Sequence, residues 1–284
     1  MLGKILVPVR GDGMVATVMG HAAELAKRHK AHVLVVHCRL QASDLIPQEV
    51  LLPRFARQAM ARQASEHADS QEKHLRGVMH RLARDFGLEE GPPRIGEAAT
   101  CEFVEGSSKM ADVIKYNGRL ADMIVVAKPQ RERNLGQSEL KAALYGAGRP
   151  VLMCPGQLTP DETFGRHVAI GWNGSLPASR AVSMTLEIVA AAEKVTILSG
   201  NKGEPNGATT EELTAYYALR GIAAQSLRFE AKRAAKALLE KTAEIGASLL
   251  IAGAYSHSHE SEMLFGGNTQ ILVDETRLPI LMAH

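Results

Sequence analysis

The stretch KILVPVRGDG, residues 4–13, is an apolar, β-branched run ended by a glycine-rich turn, and HVAIGWNGS, residues 167–175, repeats it. Two further echoes follow in the same order. RLADMIVVAKP (119–129) is answered by EIGASLLIAGAY (244–255), and AGRPVLMCP (147–155) by TRLPILMAH (276–284). Three echoes in one order mean a duplicated unit, because each repeat of a supersecondary pattern marks a copy of the same element. The segment PGQLTPDETFGR (155–166) has the Pro, Gly and polar content of a linker, which sets the expected domains at residues 1–156 and 165–284.

Runs such as ILVPV, HVLVVHC, MIVVA and LLIAG lack polar alternation. That pattern belongs to strands covered on both faces in a parallel sheet, and amphipathic stretches between them supply the covering helices. The expected fold class is therefore α/β, two tandem doubly wound domains. First-half strands are expected near 4–9, 31–38, 93–98, 122–127 and 150–154, with helices near 14–29, 48–86, 103–117 and 137–146. Second-half strands are expected near 167–172, 194–199, 223–229, 248–253 and 278–283, with helices near 176–191, 208–220, 231–245 and 266–275. Pro53 should end or kink the long helix near its start.

The chain has 284 residues, with 33 Lys and Arg against 31 Asp and Glu, a formal charge of +2. That balance argues against nucleic acid as the partner, since gripping a phosphate backbone needs concentrated positive charge. No segment approaches the ~20 apolar residues of a membrane span, so no membrane partner is expected. Three scattered cysteines, Cys38, Cys101 and Cys154, do not make a disulfide framework. With no signal-peptide pattern at MLGKILVPVRG, the expected location is the cytoplasm.

Ligands of doubly wound sheets sit at the carboxyl ends of the strands where the order reverses, that is, after strands one and four. In the second half strand one leads into Gly171, Trp172 and Asn173, whose side-chain amide can hydrogen-bond a base or ribose. Strand four leads into GAYSHSHESEMLFGGNTQ (253–270). There Gly253, Tyr255 and Ser256 shape a loop, and Gly266 and Gly267 open a helix whose free N–H groups and dipole favour an anion, with Asn268 and Thr269 beside them. Glycine turns before helices also occur for steric reasons alone. His257, His259 and Glu260 form an H-x-H-E run, but no further ligand follows at zinc spacing, so no metal site is assigned. Ser175 has no G-x-S-x-G elbow and no assignable acid–base partners, so no catalytic residue is assigned and an efficient enzyme is not expected.

The openings ILVPVRGDG and VAIGWNGS, the strand and helix order, and the ending LFGGNTQILVDETRLPILMAH resemble the universal stress protein family (UspA-like) in its tandem form. The resemblance implies five parallel strands per domain ordered 3-2-1-4-5, with the domains packed through their last strands as a pseudo-dimer and room for a further homodimer. It also implies an adenine nucleotide, ATP or AMP, with Mg²⁺ accompanying ATP, held by a Gly-x-x-Gly, nine residues, Gly-Ser/Thr motif. Here the spacing is kept from Gly253 through Ser256 to Gly266 and Gly267, but Ser256 replaces the second Gly and Gly267 the Ser or Thr, while Asn173 replaces the usual Asp. Leu198, at the end of strand two, joins the implied nucleotide contacts. In the first half Arg10 takes the Asp position, no glycine pair opens the fourth helix, and Lys128, Pro129 and Gln130 fill the place of the glycine loop. The resemblance therefore implies a stress-response protein that binds nucleotide in its second domain only; a non-nucleotide scaffold or small-ligand module is the alternative.

Overall fold

A computed structural model describes residues 1–10, 14–38, 54–106, 109–133, 135–156, 159–200, 207–254 and 267–284. The apolar runs are its strands. In the first half these are β1 (Lys4–Val9), β2 (His32–Cys38), β3 (Glu89–Glu90), β4 (Thr100–Gly106), β5 (Met123–Ala127) and β6 (Val151–Cys154). In the second they are β7 (His167–Trp172), β8 (Lys194–Gly200), β9 (Ala224–Phe229), β10 (Leu249–Gly253) and β11 (Ile280–Ala283). Between them lie α1 (Val15–His29), α2 (Arg54–Asp85), α3 (Met110–Gly118), α4 (Gln137–Gly146), α5 (Leu176–Met184), α6 (Leu186–Ala190), α7 (Thr210–Ala218), α8 (Ala234–Glu244) and α9 (Gly267–Glu275).

All the strands share one 11-stranded sheet, ordered β3-β4-β2-β1-β5-β6-β11-β10-β7-β8-β9. Apart from the two-residue edge strand β3, each half has the expected order 3-2-1-4-5 with parallel neighbours. The halves meet where β6 runs antiparallel to β11, with Leu281 opposite Leu152. Because that pairing is antiparallel, the carboxyl edges of the two halves face opposite ends of the sheet.

Alternation along each strand feeds two cores. Ile5, Val7 and Val9 point to the layer of α1, α5, α6 and the C-terminal part of α2, where Leu75, Met79 and Ala83 are buried. Leu6 points to the other layer, of α3, α4, α8 and α9. Both faces are covered, which is why these strands carry no polar alternation.

Three expectations need correction. The third strand of the first half lies at 100–106 instead of 93–98, because the latter contains a turn in which Gly96 adopts φ +79°. The helix expected at 103–117 consequently begins at Met110. The helix expected at 176–191 is split at Thr185, whose buried hydroxyl donates to the Ala181 carbonyl at 2.7 Å and competes with the helical pattern. The long helix begins at Arg54; Pro53 lies outside the described residues.

Candidate functional site

The turn after β7 is held by its own polar side chains. The Ser175 hydroxyl accepts from Ala178 N–H at 3.3 Å and caps α5. The Asn173 side-chain carbonyl accepts from Ser175 N–H at 3.2 Å, an Asx turn. Asn173 thus offers the space above the strand its amide N–H donors. Gly174 has φ +69° and lies backbone to backbone against Gly207, so neither position tolerates a side chain. Trp172 is buried, and its indole N–H donates to the Ala208 carbonyl at 2.9 Å, which pins the loop before α7 to the end of β7.

Gly253 ends β10 against the start of α5. A Cβ there would overlap Ala178 N and stand 2.7 Å from Pro177 C, both backbone atoms. A Cβ on Gly171 would stand 2.8 Å from Leu238 Cδ2, so its absence lets α8 approach the end of β7. These small residues leave a cavity of about 280 Å³ at the switch point between β7 and β10.

Of the residues expected from sequence, Gly171, Trp172, Asn173, Leu198, Gly253 and Asn268 line this cavity. Gly267 opens α9 but is not in the lining, and nothing lies within 4 Å of where its Cβ would be. Thr269 is buried and also outside the lining, so it does not stand in for the missing hydroxyl at Gly267 among the cavity walls. Tyr255, Ser256 and Gly266, with His257 and His259, lie outside the described residues. Among the described residues no group of three or more His, Cys, Asp or Glu could hold a metal ion.

Sequence reasoning missed the far wall. Gly200 from β8, Phe229 from β9, and Ala231, Lys232, Ala234, Ala235 and Leu238 around the start of α8 complete the lining, with Ala252 and Leu272. Only the sheet order brings the third strand's loop to the first and fourth strands. The wall is mostly apolar and suits a planar heterocycle. Its described polar side chains are the amides of Asn173 and Asn268 and the ammonium of Lys232, and they lie beside the N-terminal N–H groups of α8 and α9, so the site favours a ligand rich in acceptors or negative charge.

Described side chains occupy the equivalent place in the first half. By strand register and helix position, Arg10 corresponds to Asn173 and Glu139 to Asn268, and the two form an ion pair in which Glu139 is buried. The Ser138 hydroxyl donates to the Glu139 carboxylate at 3.1 Å. Cys38 stands where Gly200 does, and its Sγ lies 3.5 Å from Met110 Sδ. Burial pushes that thiol up to about 11, so it packs as an apolar group and not as a thiolate. Beside the pair, towards Met14, Val15 and Val18 of the α1 side, lies a space of about 40 Å³.

Two units of order 3-2-1-4-5, seamed through their last strands and with a cavity at the second unit's switch point, define a tandem doubly wound α/β protein. No family model matches the chain, and no curated protein matches it. Solved structures do. A universal stress protein from Archaeoglobus fulgidus superposes with a TM-score of 0.71 at 12% identity, covering 100% of this chain and 96% of that one. A functionally unknown protein from Pseudomonas aeruginosa gives 0.56 at 14%, covering 99% and 92%. A putative universal stress protein from the same species gives 0.54 at 14%, covering 99% and 93%. The chain has the universal stress protein fold in its two-unit form. No helix among the described residues is long and apolar enough to cross a membrane.

Proposed function

We propose that this is a cytoplasmic stress-response protein that binds an adenine nucleotide, ATP or AMP, as a regulatory ligand in its second domain (165–284), while the first (1–156) has lost that site and completes an intramolecular pseudo-dimer. The observation that carries the reading is the contrast at corresponding positions: a cavity of about 280 Å³ beside Asn173 and Asn268 in one half, and an ion pair between Arg10 and the buried Glu139 in the other. The base would lie against Leu198, Phe229 and Leu238. The phosphates would take donors from Asn173, Asn268 and the start of α9, with Tyr255, Ser256 and Gly266 of the adjoining loop in the same role. None of the described lining residues is a carboxylate, so Mg²⁺ would arrive on the phosphates of ATP.

One observation favours a different ligand. The Asn173 carbonyl already accepts from Ser175 N–H, which leaves one lone pair and no charge there for ribose hydroxyls. A small ligand with an apolar body and an acceptor-rich head, bound by a scaffold protein, is the second reading. Titration calorimetry with ATP, ADP and AMP, with and without Mg²⁺, separates the two. Saturable heat with a change in Trp172 emission supports the nucleotide. No heat and no emission change at millimolar nucleotide would exclude it.

A further inference from the structure

The two ends of the β6–β11 seam carry different chemistry. At one end Lys128, just past β5, crosses to the other half, where its ammonium donates to the carbonyls of Asp274 at 2.7 Å and Thr276 at 2.9 Å. Arg131 pairs with the Asp274 carboxylate at 2.8 Å. Asp274 lies in the last turn of α9, where carbonyls lack intrahelical donors and the dipole favours a cation. At the other end of the seam Ala254 stands in the place of Lys128 and Tyr145 in the place of Asp274. There the His284 ring meets the Tyr145 ring at 4.8 Å, and its Nδ1 lies 3.2 Å from the Ala254 carbonyl. Lys128, in the stretch that fills the place of the glycine loop, is thus part of a cross-seam clamp on a helix end.

The clamped helix is also a wall of the cavity, through Asn268 and Leu272. At 9 residues α9 is too short to stand alone, since helices under about 12 residues are marginal in water without tertiary contacts. Asn268 and Asp274 are separated by only about 9 Å of helix axis. Fixing one end therefore fixes the other. We propose that Lys128 is a positioning residue for the second-half cavity: the first half holds the C-terminal end of α9 and thereby sets where Asn268 and Leu272 stand. The ligand named in the affinity arm below rests on the nucleotide reading; the clamp itself does not.

The test compares full-length wild type with Lys128→Met, which keeps the stem and removes the donors, and Lys128→Arg, which restores them. Amide hydrogen exchange of residues 268–272, without ligand, should speed up on the order of tenfold in the Met variant. Affinity for AMP should fall about fivefold. Lys128→Arg should return both to within about twofold, a rescue that mere loss of packing would not give. Tyr145→Leu, at the other end of the seam, should leave exchange at 268–272 unchanged. Exchange that rises only at 273–276, or an unchanged AMP affinity in a wild type that binds AMP, overturns the proposal. If wild type binds no nucleotide, faster exchange at 268–272 still upholds the clamp while the ligand reading fails, and unchanged exchange there overturns the clamp.

Discussion

The same switch point has been built twice in this chain with opposite results. After β1 and at α4 the sequence places Arg10 and Glu139, and their charges satisfy each other in the space a ligand would need. After β7 and at α9 it places Asn173 and Asn268, which cannot neutralise one another and leave the space open. The neighbouring strands reinforce the contrast, with Cys38 beside Met110 in the closed half and Gly200 in the open one. The fold therefore provides a place for a ligand, and a few side chains decide whether it is kept.

Transplanting the ion pair gives the largest expected effect. Asn173→Arg with Asn268→Glu should close the second cavity and weaken AMP binding by at least about 100-fold, because a ligand would have to displace an ion pair whose carboxylate is buried. Calorimetry measures it directly. Affinity within threefold of wild type would mean that the ligand does not use the β7–α9 edge.

The ends of the fourth strands differ in the same way. Gly253 is packed against the backbone of α5, whereas its counterpart Ala127 already carries a Cβ. Gly253→Ala should cost about 2 kcal/mol by overpacking against atoms that cannot rotate away. Ala127→Gly should cost about 1 kcal/mol or less, from chain entropy. Denaturant unfolding of the two variants checks the order; equal costs would show that the approach of α5 relaxes freely.

Much of this contrast was legible in the sequence. The repeated strand-one turn and the fourth-strand glycines pointed to Gly171, Trp172, Asn173, Gly253 and Asn268, and the family resemblance added Leu198; these six line one cavity. Arg10 and the missing glycine pair marked the first half as altered. The partner of Arg10 was not legible, because Glu139 lies in an ordinary helical segment and only folding brings it to the end of β1. Phe229, Lys232 and Leu238 were missed for the same reason: they belong to the end of the third strand, its loop and the helix after it, 15 residues or more from the motifs at either end. The misplaced third strand had a local cause. TCEFVEG sits near the sheet edge and carries exposed Glu102 and Glu105, so it lacks the uniform apolar run by which its neighbours are recognised.

Acid should act unequally on the halves. His21, His29, His32 and His37 in the first half, and His167 in the second, are all held below the ordinary imidazole value of 6.5, chiefly by burial. The folded state favours neutral rings, so stability is complete above that value and is lost as pH falls and the unfolded chain takes up protons. Unfolding midpoints should therefore drop between pH 7.5 and pH 5.5. His21→Gln with His37→Gln should flatten the drop more than His167→Gln does. Equal flattening would mean that the acid sensitivity is shared evenly between the halves.

The smallest expected effect sharpens the open site itself. Lys232 is exposed at the rim and forms no ion pair among the described residues, and its charge is the one cation in the described lining. An exposed charge in water contributes little, so Lys232→Met should weaken AMP by only about threefold, with the loss shrinking as salt rises. Adenosine, which lacks the phosphate, should bind the variant as it binds wild type. A matching loss for adenosine would place Lys232 against the base or sugar and reverse the orientation of the ligand, setting its phosphates away from the start of α8.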